Sequence, residues 1–479
     1  MKIYLMKIKT IKNKYFNSIE AKESKMVDIQ EIITDEVRLY IGDEVPDEYL
    51  SDQYVKEVPA VYAVALPKTH DEVVKLVKFA KEKELIIIAR GAGTGVAGAQ
   101  VPLHGEELII DLKLMNRIID LDEETFTLTV EPGVLVGDIH QYVESKGYFY
   151  PPDPASKHSS IGGNVATNAG GLRAVKYGVT RDYIREIDVI LPSGEEMTLG
   201  SLNIKSSSGY DLLDLFIGSE GTLGITTQIK LRLLPLPEVT QTVLIAFDDV
   251  FQATEGTLAI LRSGATPSEI ELFERDAVYY AEQHLGYPLQ AQYGEAFLLV
   301  EIDGNDGIEL ATRMEIITDA VSDYALEVIP LIEEEKARKT ELIRDNILIG
   351  LMEYTEYEML DEVVPINKFA ELIEYTKTLQ EKHGLNVLNF GHSGDGNVHT
   401  ILMRDDLSEE EWETRRAALL DDLYQKVQEL GGLPSAEHGI GIVKKEYLDK
   451  MSADVNLKYM RKIKEIFDPE NRLNPGKLF

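Results

Sequence analysis

The sequence predicts an α+β fold in two main parts, and three observations support this prediction. The 479 residues suggest roughly two to four domains. Short strands and helices alternate up to Pro237, and longer helices separated by strands follow it. Three glycine-rich stretches all fall within the first part. We therefore place the main boundary near residue 237.

Composition limits the classes of function. Hydrophobic residues make up 44% of the chain and charged residues 28%, which permits sizeable cores. The net charge of −34 argues against nucleic acid and against an anionic membrane surface as partners. The chain has no cysteine, which excludes disulfides, thiolate nucleophiles and Cys-ligated metal clusters. A redox function here needs an organic cofactor or a metal held by histidines and carboxylates.

The N-terminal segment differs from the rest of the chain. Residues 1–25 contain seven lysines and two glutamates, without the apolar stretch of a signal peptide. We interpret them as a loose tail or an over-extended start, with Met26 as a second plausible start. No apolar run approaches the roughly 18–20 residues that span a bilayer, so we expect a soluble, cytoplasmic protein without a transmembrane segment.

The first part begins with short acidic helices over 27–56. Hydrophobic runs and period-two alternation then predict its regular elements, which end at Pro235 and Pro237. They are strands over 60–66, 85–90, 107–112, 125–130, 184–191 and 224–234, and helices over 71–83 and 136–146.

The second part has longer helices, typical of a smaller α+β domain. Its predicted strands cover 242–247 and 296–302, and a further strand leads into 391–399. Its predicted helices cover 250–262, 307–324, 333–350, 367–383, 409–430 and 456–467, before an extended end over 468–479.

The first glycine loop fits the dinucleotide fingerprint only in part. Gly93, Gly95 and Gly98 have the required spacing, and an aspartate follows about 20 residues later. However, Pro102 and Gly105 interrupt any helix after the loop, so we reject a Rossmann unit and predict strand–loop–strand. Its backbone N–H groups can still cradle a pyrophosphate; a simple turn is the alternative.

Two further stretches are rich in small residues. Residues 161–172 have almost no large side chains, which indicates close contact between backbone and a flat ligand, or a tightly packed loop. Residues 218–224 form a similar stretch at the start of a strand. Three such stretches in one domain favour a large, extended cofactor over three separate turns.

Histidines and a carboxylate cluster near the end of the second part. His392 and His399 flank a Gly-Asp-Gly turn that can bring both rings to one point. Glu437 and His438 follow at a distance. Two imidazoles and a carboxylate suit Zn, Mn or Fe(II) with open positions. Each histidine alone could equally be structural, so the residues themselves leave a metal site open.

The order of the motifs resembles one family. RGAGTGVAG, PPDPAS, IGGNVATNAGG, KYG, GSEGTLGI and the final NPGKLF together resemble the vanillyl-alcohol oxidase / p-cresol methylhydroxylase superfamily. Within it, the chain is most similar to the D-2-hydroxy-acid dehydrogenases, such as glycolate oxidase and D-lactate dehydrogenase, over roughly residues 45–479.

The resemblance implies a two-part FAD-binding domain, a second α+β substrate (cap) domain and a C-terminal segment that returns to the flavin. The corresponding divisions are a tail with short helices over 1–56, the FAD-binding domain over 57–236, the cap domain over 237–435 and the returning segment over 436–479.

The resemblance also implies the site residues. FAD would be held without a covalent bond, since the first loop offers Thr94 where covalent members often carry histidine. The implied FAD-binding residues are Arg90, Gly91, Ala92, Gly93, Thr94, Gly95, Pro152, Asp153, Ser156, Gly162, Gly163, Asn164, Gly170, Ile225 and Asn474. The implied metal ligands are His392, His399 and Glu437, with Asp395 and Asn397 in supporting positions.

His438 is the implied general base, and Arg344 the implied partner of the substrate carboxylate. An arginine that only pairs with Glu341 or Asp345 is the alternative for the latter. The implied reaction oxidises D-lactate or glycolate by hydride transfer to flavin N5. Electrons would pass to an electron-transferring flavoprotein, an iron–sulfur subunit or a quinone.

Two departures from the family bear on the substrate. The 2-hydroxyglutarate enzymes carry a lysine in the stretch that corresponds to 359–365, and an asparagine where this chain has Ile401. Both are absent here, so a distal carboxylate would be buried unpaired, and a small acid is favoured. D-2-hydroxyglutarate dehydrogenase, a metal-dependent hydrolase and a partner-dependent flavin subunit remain alternatives.

Overall fold

The computed structural model describes residues 29–53, 55 and 58–479, so the interpretation of residues 1–25 lies outside the described part. Short 3₁₀ helices at Glu36–Arg38, Gly42–Glu44 and Asp47–Tyr49 confirm the short helices predicted before the first domain. Further 3₁₀ turns lie at Leu112–Leu114, Thr180–Tyr183 and Ile366–Lys368. The described strands form four sheets.

The first sheet has the order β1-β2-β4-β3, and β2, β4 and β3 are parallel. Its strands are β1 (Leu39–Ile41), β2 (Ala63–Ala65), β3 (Ile86–Arg90) and β4 (Glu107–Asp111). Helix α1 (His70–Glu82) begins where the Thr69 hydroxyl accepts a bond from Glu72 N, and it packs an apolar face on the sheet. Residues 91–106 contain no helix, which confirms strand–loop–strand.

The second sheet is antiparallel, with the order β5-β6-β10-β8-β9. Its strands are β5 (Ile118–Asp122), β6 (Thr127–Val130), β8 (Ile184–Ile190), β9 (Glu196–Gly200) and β10 (Ile225–Arg232), and β7 (Tyr148–Phe149) pairs separately with β11 (Leu234–Pro235). Around it lie α2 (Val136–Glu144), α3 (Ile161–Thr167), α4 (Ala174–Tyr177) and α5 (Leu213–Phe216).

Helix α3 occupies part of the small-residue stretch 161–172, where the sequence predicts no helix. The sequence does not indicate this helix because two of its residues are adjacent glycines, and glycine has a poor helix propensity. The Ser160 hydroxyl caps it by accepting a bond from Gly163 N at 3.3 Å. The small side chains are therefore presented from a short helix.

The third, antiparallel sheet has the order β15-β12-β14-β13-β18-β19-β16, and β17 also pairs with β19. Its strands are β12 (Val239–Phe247), β13 (Glu269–Glu274), β14 (Ala296–Gly304), β15 (Ala325–Pro330), β16 (Tyr357–Met359), β17 (Glu362–Val363), β18 (Asn386–His392) and β19 (Asn397–Met403). A separate hydrophobic cluster packs on each face.

Helices of the third sheet are α6 (Val250–Arg262), α7 (Arg275–Leu285), α8 (Gly307–Val321), α9 (Glu334–Asp345), α10 (Ile347–Met352), α11 (Phe369–His383) and α12 (Glu409–Glu429). The helix predicted over 333–350 is wrong as a single element, because it is interrupted at Asn346. There the Asn346 side chain donates to Leu342 O at 2.7 Å, a local bond that competes with the helix.

The chain end returns to the first sheet after α13 (Lys445–Met451) and α14 (Asp454–Phe467). Ile87 N donates to Arg472 O, and Asn474 N donates to Ile87 O, both at 2.8 Å. None of the described helices combines the length and apolar character needed to cross a bilayer.

Candidate active site

A cavity of about 320 Å³ lies between the first glycine loop, α3 and the stretch 219–226. Most of the predicted FAD-binding residues line it, namely Arg90, Gly91, Ala92, Gly93, Thr94, Gly95, Ser156, Gly162, Gly163, Asn164 and Ile225. Glu437 and His438 line the same cavity. The glycine loops and the C-terminal part of the chain therefore share one space.

Polar atoms on this lining are left without partners. Arg90 Nη1, Ser159 Oγ and Asn164 Nδ2 are buried and make no hydrogen bond within the described residues. Arg90 Nη2 donates to Glu48 O at 2.8 Å, and the guanidinium lies 4.9 Å from the centre of the Tyr49 ring. Burial lowers the pKa of Arg90. An anionic group with several acceptors, such as a pyrophosphate, fits this donor set.

Glycines bring the backbones around the cavity close together. A Cβ on Gly162 would lie 2.6 Å from Pro132 Cβ, and one on Gly91 would lie 2.3 Å from Ser160 Oγ. By contrast, a Cβ on Gly95 would meet only Gln100 Nε2 at 3.9 Å. Some glycines thus permit close packing, whereas others leave room for a ligand. Both features fit the extended cofactor that the sequence predicts.

Four predicted FAD-binding residues lie off the lining. The Pro152 carbonyl accepts a bond from His140 Nε2 at 3.0 Å, and the buried Asp153 pairs with Arg173 at 3.3 Å. A Cβ on Gly170 would lie 3.2 Å from Glu437 Oε2. Asn474 Nδ2 donates to two carbonyls of lining residues, Ala99 and Glu220. Gly170 and Asn474 thus lie against lining residues, whereas these contacts of Pro152 and Asp153 are with residues off the lining.

The predicted metal ligands converge on one point. His392 ends β18 and His399 lies in β19, the strand paired with it. Their Nε2 atoms are 3.4 Å apart, and each lies 3.8 Å from Glu437 Oε1. Ligands about 2.1 Å from a tetrahedral ion lie about 3.4 Å apart, so the geometry fits a small divalent metal.

Asp361 lies beside this group, and sequence reasoning missed it. One oxygen each of Asp361 and Glu437 and one nitrogen each of His399 and His438 fall within 4.8 Å. However, Asp361 Oδ2 already accepts bonds from Ser435 Oγ, Lys444 Nζ and three backbone N–H groups at 2.7–3.2 Å. We therefore assign Asp361 as the anchor of residues 436–438.

The charge of Asp361 is maintained by its neighbours. Burial alone would raise the pKa of its carboxyl, but Lys444, His438 and His399 hold that pKa well below its usual range. Its Oδ1 accepts a bond from Asn397 Nδ2 at 3.1 Å. Asn397 N in turn donates to Asp395 Oδ1 at 3.2 Å. Asp395 and Asn397 thus support the turn between the two histidines.

His438 lies beside the predicted metal ligands and also lines the cavity. Its ring stacks on His399 with centroids 5.8 Å apart, and its Nε2 is 3.8 Å from Glu437 Oε1. Its Nδ1 is buried and has no hydrogen-bond partner among the described residues. This position gives the imidazole access to a molecule in the cavity.

Arg344 lies at the end of α9, and its inner edge is occupied. Its Nε donates to Glu271 Oε2 at 2.9 Å, and its Nη1 donates to Asp345 Oδ1 at 3.0 Å. The other oxygen of Glu271 accepts a bond from His392 Nδ1. Burial alone would raise the pKa of Glu271, but Arg344 and His392 lower it to about 2. Sequence reasoning missed Glu271, which no motif marks.

Family models match most of the chain. An FAD binding domain matches residues 61–200, and the C-terminal domain of FAD linked oxidases matches residues 236–478. The structure of p-cresol methylhydroxylase has a TM-score of 0.78 at 18% identity, over 96% of this chain and 97% of that one. This similarity confirms the predicted fold class.

Curated relatives agree with these matches. D-lactate dehydrogenase from Anaerostipes hadrus is 38% identical, over 92% of this chain and 94% of that protein. Glycolate oxidase subunit GlcD from Bacillus subtilis is 37% identical, over 87% and 88%. D-2-hydroxyglutarate dehydrogenase from Xanthomonas citri is 34% identical, over 90% and 92%.

The chain therefore belongs to the FAD-linked oxidase family, as a flavoprotein with an FAD-binding domain and a C-terminal oxidase domain. Within that family it groups with the FAD-linked hydroxy-acid dehydrogenases. The predicted family and enzyme class are both confirmed.

Proposed function

We propose that the protein oxidises a small D-2-hydroxy acid, D-lactate or glycolate, to the 2-oxo acid, using non-covalent FAD and a divalent metal. The observation that carries this proposal is the position of Glu437 and His438 on the lining of the glycine-loop cavity. A substrate bound beside Glu437 and His438 would contact both the proposed metal ligands and the proposed flavin-binding space. The names of the relatives support this substrate class.

Each group in the proposed reaction has a defined task. FAD, when bound, supplies the hydride acceptor, and a divalent ion on His392, His399 and Glu437 supplies Lewis acidity at the 2-hydroxyl. His438 takes the hydroxyl proton on its imidazole. Arg344 binds the substrate carboxylate through its outer edge, where Nη1 now donates to the exposed Asp345.

The surroundings of His399 support a small substrate. Ile401 lies two residues after His399 on the same strand, and it packs in an apolar cluster with Leu351, Leu388 and Met403. A distal carboxylate placed here would lose its hydration without gaining a partner. D-2-hydroxyglutarate is thus the less favoured substrate.

The reduced flavin must pass its electrons to another carrier. Because the chain has no cysteine, it cannot hold a Cys-ligated iron–sulfur cluster of its own. We propose an electron-transferring flavoprotein, an iron–sulfur subunit or a quinone as acceptor, and a cytoplasmic location.

Anaerobic reduction tests the proposed function. The purified protein, loaded with FAD and Mn²⁺ or Zn²⁺, is mixed separately with D-lactate, L-lactate, glycolate and D-2-hydroxyglutarate. We expect D-lactate or glycolate to bleach the flavin absorbance. Bleaching by D-2-hydroxyglutarate alone would overturn the proposed substrate, and a protein that takes up no FAD would overturn the redox function itself.

A further inference from the structure

We propose that Glu271 is a positioning residue for the metal centre, and that Arg344 acts on that centre through it. This inference rests on the metal site of the proposed function and adds a residue that no sequence motif marks. Glu271 touches neither the cavity lining nor the three convergent ligand atoms. It contacts His392 at Nδ1, not at the Nε2 that faces the other two ligands.

Strand pairing places Glu271 beside the ligand. In the antiparallel pair of β13 and β18, Glu271 lies directly opposite His392. Side chains at such positions lie on the same face of the sheet and close enough to touch. The Glu271 side chain is only 2% exposed, so water does not compete for its oxygens. The backbone therefore fixes this contact.

The contact determines which ring nitrogen of His392 faces the metal. His392 Nδ1 donates its hydrogen to Glu271 Oε1, so that in the neutral imidazole the lone pair lies on Nε2. That Nε2 is the atom that faces His399 Nε2 and Glu437 Oε1. Carboxylates in this position fix the tautomer and ring orientation of a metal-binding histidine.

The second metal-binding histidine lacks such a partner. His399 Nδ1 is buried and makes no hydrogen bond in the described part of the chain. Glu271 therefore supplies the one side-chain carboxylate that orients a ligand imidazole through its Nδ1 among the described residues. Loss of the Glu271 carboxylate should therefore lower the affinity for the metal.

Arg344 offsets the energetic cost of burying the Glu271 carboxylate. A carboxylate buried to this degree is costly unless a cation accompanies it. Arg344 supplies that cation through Nε, 2.9 Å from Glu271 Oε2, and its own side chain is only 13% exposed. Arg344, Glu271 and His392 thus form a continuous chain from α9 to the ligand cluster.

Metal affinity of the FAD-loaded protein tests the inference. Mn²⁺ is titrated while the EPR signal of the free ion is recorded, and FAD content is measured in parallel. We expect Glu271→Gln to weaken Mn²⁺ binding about 10- to 100-fold with FAD content unchanged. The matched control is Glu274→Gln, because Glu274 lies on the same strand and pairs with Lys377 at 2.7 Å, away from the histidines.

Equal Mn²⁺ affinity of Glu271→Gln and Glu274→Gln would overturn the inference, even if both lose stability. If Glu271→Gln does not fold, Glu271→Asp keeps the charge but shortens the side chain, and the same loss of affinity is expected. Wild-type protein that reduces its flavin with D-lactate but binds no Mn²⁺ or Zn²⁺ would remove the metal site and the inference together. Wild-type protein that binds metal but is not reduced would leave the inference standing and overturn the proposed substrate.

Discussion

Buried carboxylates hold the reactive side chains at this site in place. Asp361 accepts the backbone N–H groups of residues 436–438, and Glu271 accepts the Nδ1 hydrogen of His392. Glu220 accepts the N–H groups of Ile440 and Gly441, both at 2.7 Å. Each acceptor is distant in sequence from the segment that it holds. Replacing any of these carboxylates should therefore disturb the geometry of the segment that it holds.

His438 should be essential for turnover but not for flavin binding. A general base commonly contributes 10²- to 10⁴-fold, so we expect His438→Ala to lower kcat by about that factor. The flavin spectrum should stay unchanged, since His438 is only one of the many residues that line the cavity. Stopped-flow reduction by D-lactate measures the rate. His284→Ala, which removes a histidine paired with Glu353, serves as the control, and near-normal turnover in His438→Ala would exclude it as the base.

His140 should make stability depend on pH. Burial lowers its pKa from the usual 6.5 to about 4, and its Nε2 donates to Pro152 O. Because the folded pKa is depressed, the unfolded chain binds a proton first as the pH falls below 6.5, which favours unfolding. Between pH 7 and pH 5 this histidine should remove about 2 kcal/mol of stability.

Urea unfolding at pH 7 and pH 5 checks the effect of His140. We expect the fall in unfolding free energy to be smaller in His140→Gln than in the wild type by that amount. Equal falls in both proteins would contradict the assignment.

Helices and strands differ in how well the sequence predicts them. Helix α6 has the predicted bounds, and β3, β4 and α11 differ by only one or two residues from prediction. Their apolar patterns are regular and their ends are marked by caps or glycine. Strand β13 and helix α7 were missed, although the alternation in 269–274 was a usable signal.

Contacts at the candidate site also differ in how well the sequence predicts them. The hairpin of β18 and β19 brings His392 and His399 together locally, so their proximity is readable from the short turn between them. Glu271 on β13 and Asp361 between β16 and β17 lie 121 and 36 positions away from the residues they bind. Such contacts depend on sheet order, which spacing along the chain does not encode.

The close approach of α3 to Pro132 should make Gly162 intolerant of any side chain. In Gly162→Ala, the new methyl group would meet Pro132, so we expect a loss of about 1–3 kcal/mol of stability and weaker FAD retention. FAD content by absorbance and urea unfolding measure the two effects. Gly307→Ala is the matched control, because it begins α8 with nothing within 4 Å. Full FAD retention in Gly162→Ala would show that α3 and Pro132 can move apart without loss of FAD affinity.

Across the whole molecule, a buried aspartate joins the FAD-binding part to the third sheet. Asp303 in β14 is only 4% exposed. It accepts a bond from Tyr177 OH at 2.7 Å and pairs with Lys176, both from α4. These two residues belong to the KYG motif noted in the sequence. The motif thus fixes the third sheet against the first part, and the two parts should unfold together.

Flavin binding should therefore stabilise the part around the third sheet as well. FAD at about one hundred times its Kd should add about 2.7 kcal/mol to the unfolding free energy. The single tryptophan, Trp412, is buried on α12 in a hydrophobic cluster of the third sheet and reports that part alone. We expect the urea midpoint of its fluorescence to rise with FAD. An unchanged midpoint would mean that the two parts unfold independently.

The return of the C-terminal segment affects the timing of biogenesis. Asn474 reaches Ala99, 375 positions earlier, and donates to the carbonyl of Glu220 as well. A ribosome must therefore release every residue up to Asn474 before this wall of the cavity can close. Loading of the flavin then becomes a late event after translation, and a product terminated before residue 474 would present an open cleft to cellular proteases.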